Sequence, residues 1–272
     1  MNVFGRDAII GEFKLSDYGL IMASFDIGES NSEMELGMDH ETVETFVGSN
    51  PVPLYLGAQY SNKLTGTITL VKNLCNGETS MQFTEHECRE VLRQLTGFRG
   101  YKRMQVYSYE IDELIYFNIR VNNVSYQKIN GKVVGIILYI ECDSQFGWSQ
   151  EYEYDYDVKS GDNIILHNSS DDLYHYLLPK ITIQSKSSID QLEIVNLVDN
   201  NWTTTISNIS ANEIITMDSK YEILTSSVPG KMILNDFNMH FIRFISGENH
   251  LQINSDLTLK ITYQLPRKVG FL

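Results

Sequence analysis

Basic residues are scarce in this chain. There are 21 Lys and Arg against 35 Asp and Glu, a formal net charge of −14. A nucleic-acid-binding surface needs clustered cations to displace counterions from phosphates, so this balance speaks against one. It speaks equally against docking on an anionic membrane. A conduit for DNA is compatible with it, because like charge prevents sticking. Proline is also rare, with 5 residues beside 18 Gly, so the chain is neither fibrous nor of low complexity. The three cysteines, Cys75, Cys88 and Cys142, are odd in number, far apart and form no CxxC. That usage fits folding in a reducing compartment. The longest apolar run, residues 133–140, is far too short to cross a bilayer and reads as a buried strand. Residues 1–10 hold Arg6 and Asp7 and lack an apolar core, so no targeting segment is read there. The N-x-S/T sequons at Asn123, Asn201 and Asn208 are accordingly taken as chance.

Catalytic signatures are missing as well. No G-x-S-x-G elbow, Walker loop or dinucleotide fingerprint occurs. His86-Glu87-Cys88 fails the zincin pattern, because Glu90 stands where the second His belongs. It fails the deaminase pattern too, for want of a P-C-x-x-C. Asp155, Asp157 and Asp162 invite a calcium loop, but Ser160 and Leu166 occupy the positions of the required Gly and Glu. They are expected to be a solvated acidic edge. His167 and His175 flank Asp171 and Asp172, a pairing that becomes a metal site only if loops bring them together. His240 and His250 read as structural. No catalytic, cofactor or metal residue is therefore assigned.

What remains is an ordinary globular balance, 42% hydrophobic and 21% charged, over 272 residues. At roughly 100–200 residues per domain, that length favours two domains. The dominant period is two. Ile115, Phe117, Ile119 and Val121 alternate with Tyr116, Asn118, Arg120 and Asn122, as in a half-buried strand. Leu257, Leu259, Ile261 and Tyr263 repeat the pattern, and shorter cases lie at 67–70, 181–183 and 251–253. Residues 132–142 are apolar on both faces, with Val134, Ile136, Leu138 and Ile140 on one and Val133, Ile137 and Tyr139 on the other. Such a strand is sandwiched in the core or covered by a neighbouring subunit. Asn130-Gly131 before it predicts a type I′ hairpin turn.

One helix is expected. Thr84 and Glu87 have capping-box spacing, and Cys88, Val91, Leu92 and Leu95 follow at i, i+3, i+4 and i+7. Cys88 then reads as a core thiol. Gly97 is placed to end the helix in a left-handed conformation. A boundary is expected at 147–162, where residues 151–157 alternate acids with Tyr as an edge strand or connector. The short strands beyond it suggest a β-sandwich. Tyr107, Tyr109 and Tyr116, on the sheet-forming part of the first half, are read as interface anchors.

The C-terminal third carries a resemblance. Leu234-Asn-Asp-Phe237-Asn238, Phe241-Ile-Arg-Phe244-Ile-Ser-Gly247-Glu-Asn249, Leu257-Thr-Leu-Lys-Ile261-Thr-Tyr263 and Pro266-Arg267 resemble the C-terminal half of the siphovirus distal tail protein (Dit) family. In that family a G-x-N turn precedes a final strand pair and an I-x-Y…P-R ending. Asp17-Tyr18-Gly19-Leu20, the capped helix and the strand at 115–121 are similar to its first half. The resemblance implies a mainly β fold with one helix. Residues 1–148 would form a ring-forming, β-barrel-like domain that docks the tail tube, and residues 149–272 a galectin-like β-sandwich. It implies a homohexameric ring around a DNA channel at the end of the tail tube, without specific DNA contacts and without an enzyme activity. The implied partners are the tail tube protein, a tail-associated hub or lysin protein, and receptor-binding proteins or host glycans. The implied place is the virion tail tip, after synthesis in the bacterial host cytoplasm. The alternatives are a carbohydrate-binding module, a glycan-cleaving enzyme, and a baseplate component of a contractile tail or injection system. Ring contacts join different copies, so no binding residue is named from one sequence.

Overall fold

The computed structural model describes residues 7–23, 40–49, 51–60, 63–76, 80–107 and 114–268. The chain divides into two compact units, residues 1–149 with 267–272, and residues 150–266. Each has its own buried apolar cluster.

In the first unit the strands are β1 (Asp7–Ile10), β2 (Phe13–Lys14), β3 (Leu20–Met22), β4 (His40–Thr45), β5 (Leu54–Tyr60), β6 (Thr65–Lys72), β7 (Lys102–Tyr107), β8 (Tyr116–Ile129), β9 (Lys132–Cys142) and β10 (Gly147–Trp148). Seven of them form one antiparallel path, β2-β1-β7-β8-β9-β6-β3, with β10 alongside β8. A closed barrel is not formed by the described residues, because no ladder joins β2 to β3. The two end strands are nevertheless tied by a 3-10 turn, Leu15–Tyr18, and Gly19. Five residues span at most about 18 Å, so the sheet must curl until its ends nearly meet. Gly19 permits this at φ 65°, where its N–H closes on the carbonyls of Leu15 and Ser16.

The alternating strands lie as their pattern predicts, apolar side inward. Phe117, Ile119, Ile136, Leu138 and Ile140 are buried. Asn130 (φ 50°) and Gly131 (φ 77°) make the expected turn between β8 and β9. Two register shifts alter the reading of faces. One near Asn122 lets Val124 join Val121 against the core. The other, near Val134, makes Val133 the residue that packs on the core, while Val134 is buried outside that cluster. A bulge places two residues opposite one and so reverses the alternation beyond it.

The helix α1 spans Glu85–Thr96 with both bonds of the capping box in place. Cys88, Val91 and Leu95 are buried, and Leu92 is half-buried against the core. Its end differs from expectation. Gly97 sits at φ −77°, ψ 2°, not in the left-handed region. Glycine is required there by space, since a Cβ would meet the Arg93 carbonyl oxygen at 2.5 Å.

The second unit holds β11 (Tyr152–Val158), β12 (Asn163–Asn168), β13 (Lys180–Ser185), β14 (Ile189–Asn196), β15 (Trp202–Ile209), β16 (Ile214–Asp218), β17 (Ile223–Ser226), β18 (Gly247–Ile253) and β19 (Leu257–Tyr263). They make two antiparallel sheets, β11-β19-β13-β16-β17 and β12-β18-β14-β15. Ile181, Ile183, Met217 and Ile261 from one and Leu192, Ile206, Leu251 and Ile253 from the other share a cluster, which is the expected sandwich. The acid-and-tyrosine segment is its edge strand β11, and Tyr152 and Tyr156 pack on the core.

Candidate functional site

The hairpin β4–β5 lies outside the main sheet of the first unit. It forms a two-stranded sheet of its own, and among the described residues each strand packs extensively only on the other. A shift in register falls between Val43 and Glu44. Its apolar side chains are uncovered. Phe46 is 67% exposed, Val52 66%, and Leu54, Tyr55 and Leu56 all exceed half. Leu54 to Leu56 are consecutive, so both faces of the strand present apolar groups to solvent. An isolated two-stranded hairpin is at best marginally stable in water, and a contiguous exposed apolar patch marks an interaction surface. No Lys or Arg occurs from residue 40 to 60, while Glu41 and Glu44 do. The segment is apolar and acidic together.

A groove of about 720 Å³ lies elsewhere on the same unit, between α1 and the far end of the β8–β9 hairpin. Its floor is Phe83, Cys88, Leu92, Tyr126 and Val133, and its rim carries Arg89, Arg93 and Lys128 with one acid, Glu85. Arg93 is bonded to Glu90 at 2.9 Å. Neither Arg89 nor Lys128 has an anionic partner among the described residues. Burial raises the Tyr126 hydroxyl above its ordinary value.

The second unit supplies two polar anchors. Asn249 is fully buried and its amide makes four hydrogen bonds. Its Oδ1 accepts from the Ile245 N–H (3.0 Å) and from Asn196 Nδ2 (2.9 Å), and its Nδ2 donates to the carbonyls of Ile245 (2.9 Å) and Gly247 (3.1 Å). The G-x-N segment is thus the start of β18, not the turn itself. Its asparagine holds the preceding bend shut, so that Phe244 and Leu251 both enter the core. Glu213 has a fully buried side chain and meets Lys231 Nζ at 2.8 and 2.9 Å, with Ser226 Oγ and the Ser210 N–H donating as well. Burial pushes its carboxyl up, yet Lys231 and these donors outweigh that and hold it below the usual range.

A third cluster stacks Arg243 between Tyr176 (3.9 Å) and Trp202 (3.6 Å), with its Nε donating to Asp199 at 2.7 Å. His240 stacks on the same indole at 4.2 Å, and the indole N–H donates to the Phe241 carbonyl. Trp202 is therefore no open platform for a sugar ring. Three segments far apart in the chain, at 176, 199–202 and 240–243, meet here, and sequence reasoning missed them because no local spacing connects them.

The histidines and acids weighed from sequence are dispersed. His175 Nδ1 bonds Asp172 at 2.9 Å, whereas His167 lies on β12 opposite Glu248. Nε2 of His250 bonds Glu248. Asp155 faces Lys260 across the ladder, Asp157 pairs with Lys186, and Asp162 accepts from the Lys159 N–H. No group of three metal-ligating residues gathers among the described residues. Tyr116 lies under the Arg103 guanidinium at 3.5 Å and Tyr107 is half-buried, while Tyr109 is outside the described residues. No helix is long and apolar enough to cross a membrane among the described residues.

Comparison with known proteins decides the family. Residues 4–144 match the phage tail protein N-terminal domain, and residues 146–263 match the phage tail C-terminal domain. The chain belongs to this phage tail protein family. It is a structural tail component of a bacteriophage virion. The phage tail protein is similar in fold to the Dit (gp 19.1) protein of SPP1, described as a paradigm of hub adsorption apparatus in phages infecting Gram-positive bacteria. The TM-score is 0.66 at 11% identity, over 95% of this chain and 98% of that one. The expected mainly β, Dit-like fold is borne out. Chains of the phage P2 baseplate in its activated conformation with Ca are also similar, at a TM-score of 0.45, 10% identity and coverage of 96% and 94%. No curated protein matches the sequence.

Proposed function

We propose that this phage tail protein is a distal tail protein. Six copies close into a ring that joins the tail tube to the tip and supports host-attachment components. The ring is built by the N-terminal domain, and the C-terminal sandwich is available to receptor-binding proteins or host glycans. The tube protein and a hub or lysin protein are its neighbours. The observation that carries this reading is the uncovered β4–β5 hairpin, on a curled antiparallel sheet of Dit fold. Such a surface needs a partner, and a ring of like copies supplies one for every hairpin. The net charge of −14 supports a channel to which DNA does not adhere. No catalysis is required of it, and the chain is made in the host cytoplasm before incorporation into the virion.

Gold-labelled antibody to the chain, viewed on intact virions, tests the location. The reading expects label at the distal end of the tail, where tube meets tip. Label along the tube or on the capsid would overturn it.

A further inference from the structure

We propose that the basic groove beside α1 is a docking site for an acidic peptide segment with alternating apolar side chains, contributed by another protein of the tail. This rests on the tail-tip reading in one respect, that the chain has such neighbours. Charge, floor and shape each point to that occupant.

The rims carry Arg89, Arg93 and Lys128 against one acid, Glu85. In a chain of net charge −14, a local positive excess runs against the trend. Arg93 is engaged by Glu90 at 2.9 Å, whereas Arg89 and Lys128 find no anion among the described residues. These two stand on different walls, one on α1 and one on β8, so together they receive carboxylates from either side of an occupant. Complementary potentials steer encounter and fix register.

The floor is apolar. Phe83 and Cys88 are buried in it, Leu92 and Val133 are half-buried, and Tyr126 is 42% exposed. An occupant would take the open parts of Leu92, Tyr126 and Val133 out of water, which favours binding without fixing direction. Direction comes from the charged rims.

The shape favours a peptide. The site is an open groove and not an enclosed cavity. A small molecule there would fall short of the roughly 70–90% enclosure usual for such ligands, whereas a docked peptide buries one face. The lining residues run along α1 from Glu85 to Thr96, about 16 Å at 1.5 Å per residue. That length holds about five residues of extended chain, with alternate side chains on the floor and the intervening ones reaching the rims. The uncovered β4–β5 hairpin of a second copy does not meet this description, because its strands are already paired with each other into a ribbon.

Calorimetric titration of the full chain tests the site. The probe is an end-blocked six-residue peptide of alternating Leu and Glu. The proposal expects saturable one-to-one binding, weakened roughly tenfold or more when Gln replaces Glu, and again when Ser replaces Leu. Arg89→Glu with Lys128→Glu should abolish binding of the acidic peptide and confer binding of its Leu and Lys counterpart. Both positions are exposed, and thermal melting confirms that the variant is folded. No binding of the acidic probe by the parent chain, equal binding of the Gln form, or indifference to the charge reversal overturns the site. Tighter binding of decanoate in competition with the peptide would assign the groove to an amphiphile and overturn the peptide reading. Native mass spectrometry of the double variant decides against a second copy as occupant. Its oligomeric mass should equal the parent's; loss of assembly would show that a neighbouring copy fills the groove and would overturn docking of another protein. Peptide binding by a chain that forms no ring keeps the groove and removes the ring.

Discussion

At the residue scale, the C-terminal sandwich depends on two buried polar side chains. Asn249 uses its whole amide capacity, so its replacement strands several buried partners. Asn249→Ala should lower stability by about 2–4 kcal/mol, read from the midpoint of urea unfolding. Glu213 acts through charge. Its carboxyl is held below the ordinary 4.5 in the folded state. Its contribution is therefore complete above that value and is lost as pH falls through the lower folded value, while the unfolded chain takes up the proton first. Parent protein should lose stability on acidification below about pH 4.5 more steeply than Glu213→Gln. At pH 7 the same substitution leaves the largely covered Lys231 without its anion, so it should destabilise by roughly 3 kcal/mol. Parallel stability curves against pH for the two proteins would contradict this assignment. The G-x-N spelling was visible in the sequence, but its role was not. A turn and a clamp beside a turn use the same letters.

At the element scale, regular strands and the single helix were legible because burial on one face imposes a period. The bulges near Asn122 and Val134 were not, since no local signal marks where an inserted residue reverses the alternation. Gly97 and Gly131 show how one residue type serves two ends. Gly131 occupies positive φ with open space around it, so Gly131→Ala should cost about 1 kcal/mol through backbone strain alone. Gly97 has an ordinary φ, and Gly97→Ala should cost at least as much by collision with the Arg93 carbonyl. Thermal unfolding of the two variants checks the pair, and a neutral Gly97→Ala would refute the steric account. The β4–β5 hairpin escaped sequence reading for a related reason. Its apolar residues look like core residues until the fold shows them more than half exposed. The Arg243 stack escaped because Tyr176, Asp199, Trp202 and Arg243 meet only in space.

At the scale of the whole molecule, each unit has a separate apolar cluster, one drawn from residues 8–142 and the other from 158–265. We propose that each is an autonomous domain. Residues 150–266 expressed alone should unfold in a single cooperative urea transition, and a broad, non-cooperative loss of structure would contradict that. Composition spoke against a nucleic-acid-binding or membrane-docking surface, and the strand pattern placed the chain among β folds. Neither indicates how many copies assemble, because the surfaces that meet belong to different molecules. The exposed hairpin is the feature that makes a solitary chain implausible on physical grounds, since its apolar faces remain in water until something covers them. Native mass spectrometry of the purified full chain, with negative-stain images of the same sample, tests the central claim most directly. The account predicts six copies of the 31.2 kDa chain in a ring with a central hole; a monomer that persists at high concentration and in the presence of its hub protein would contradict it.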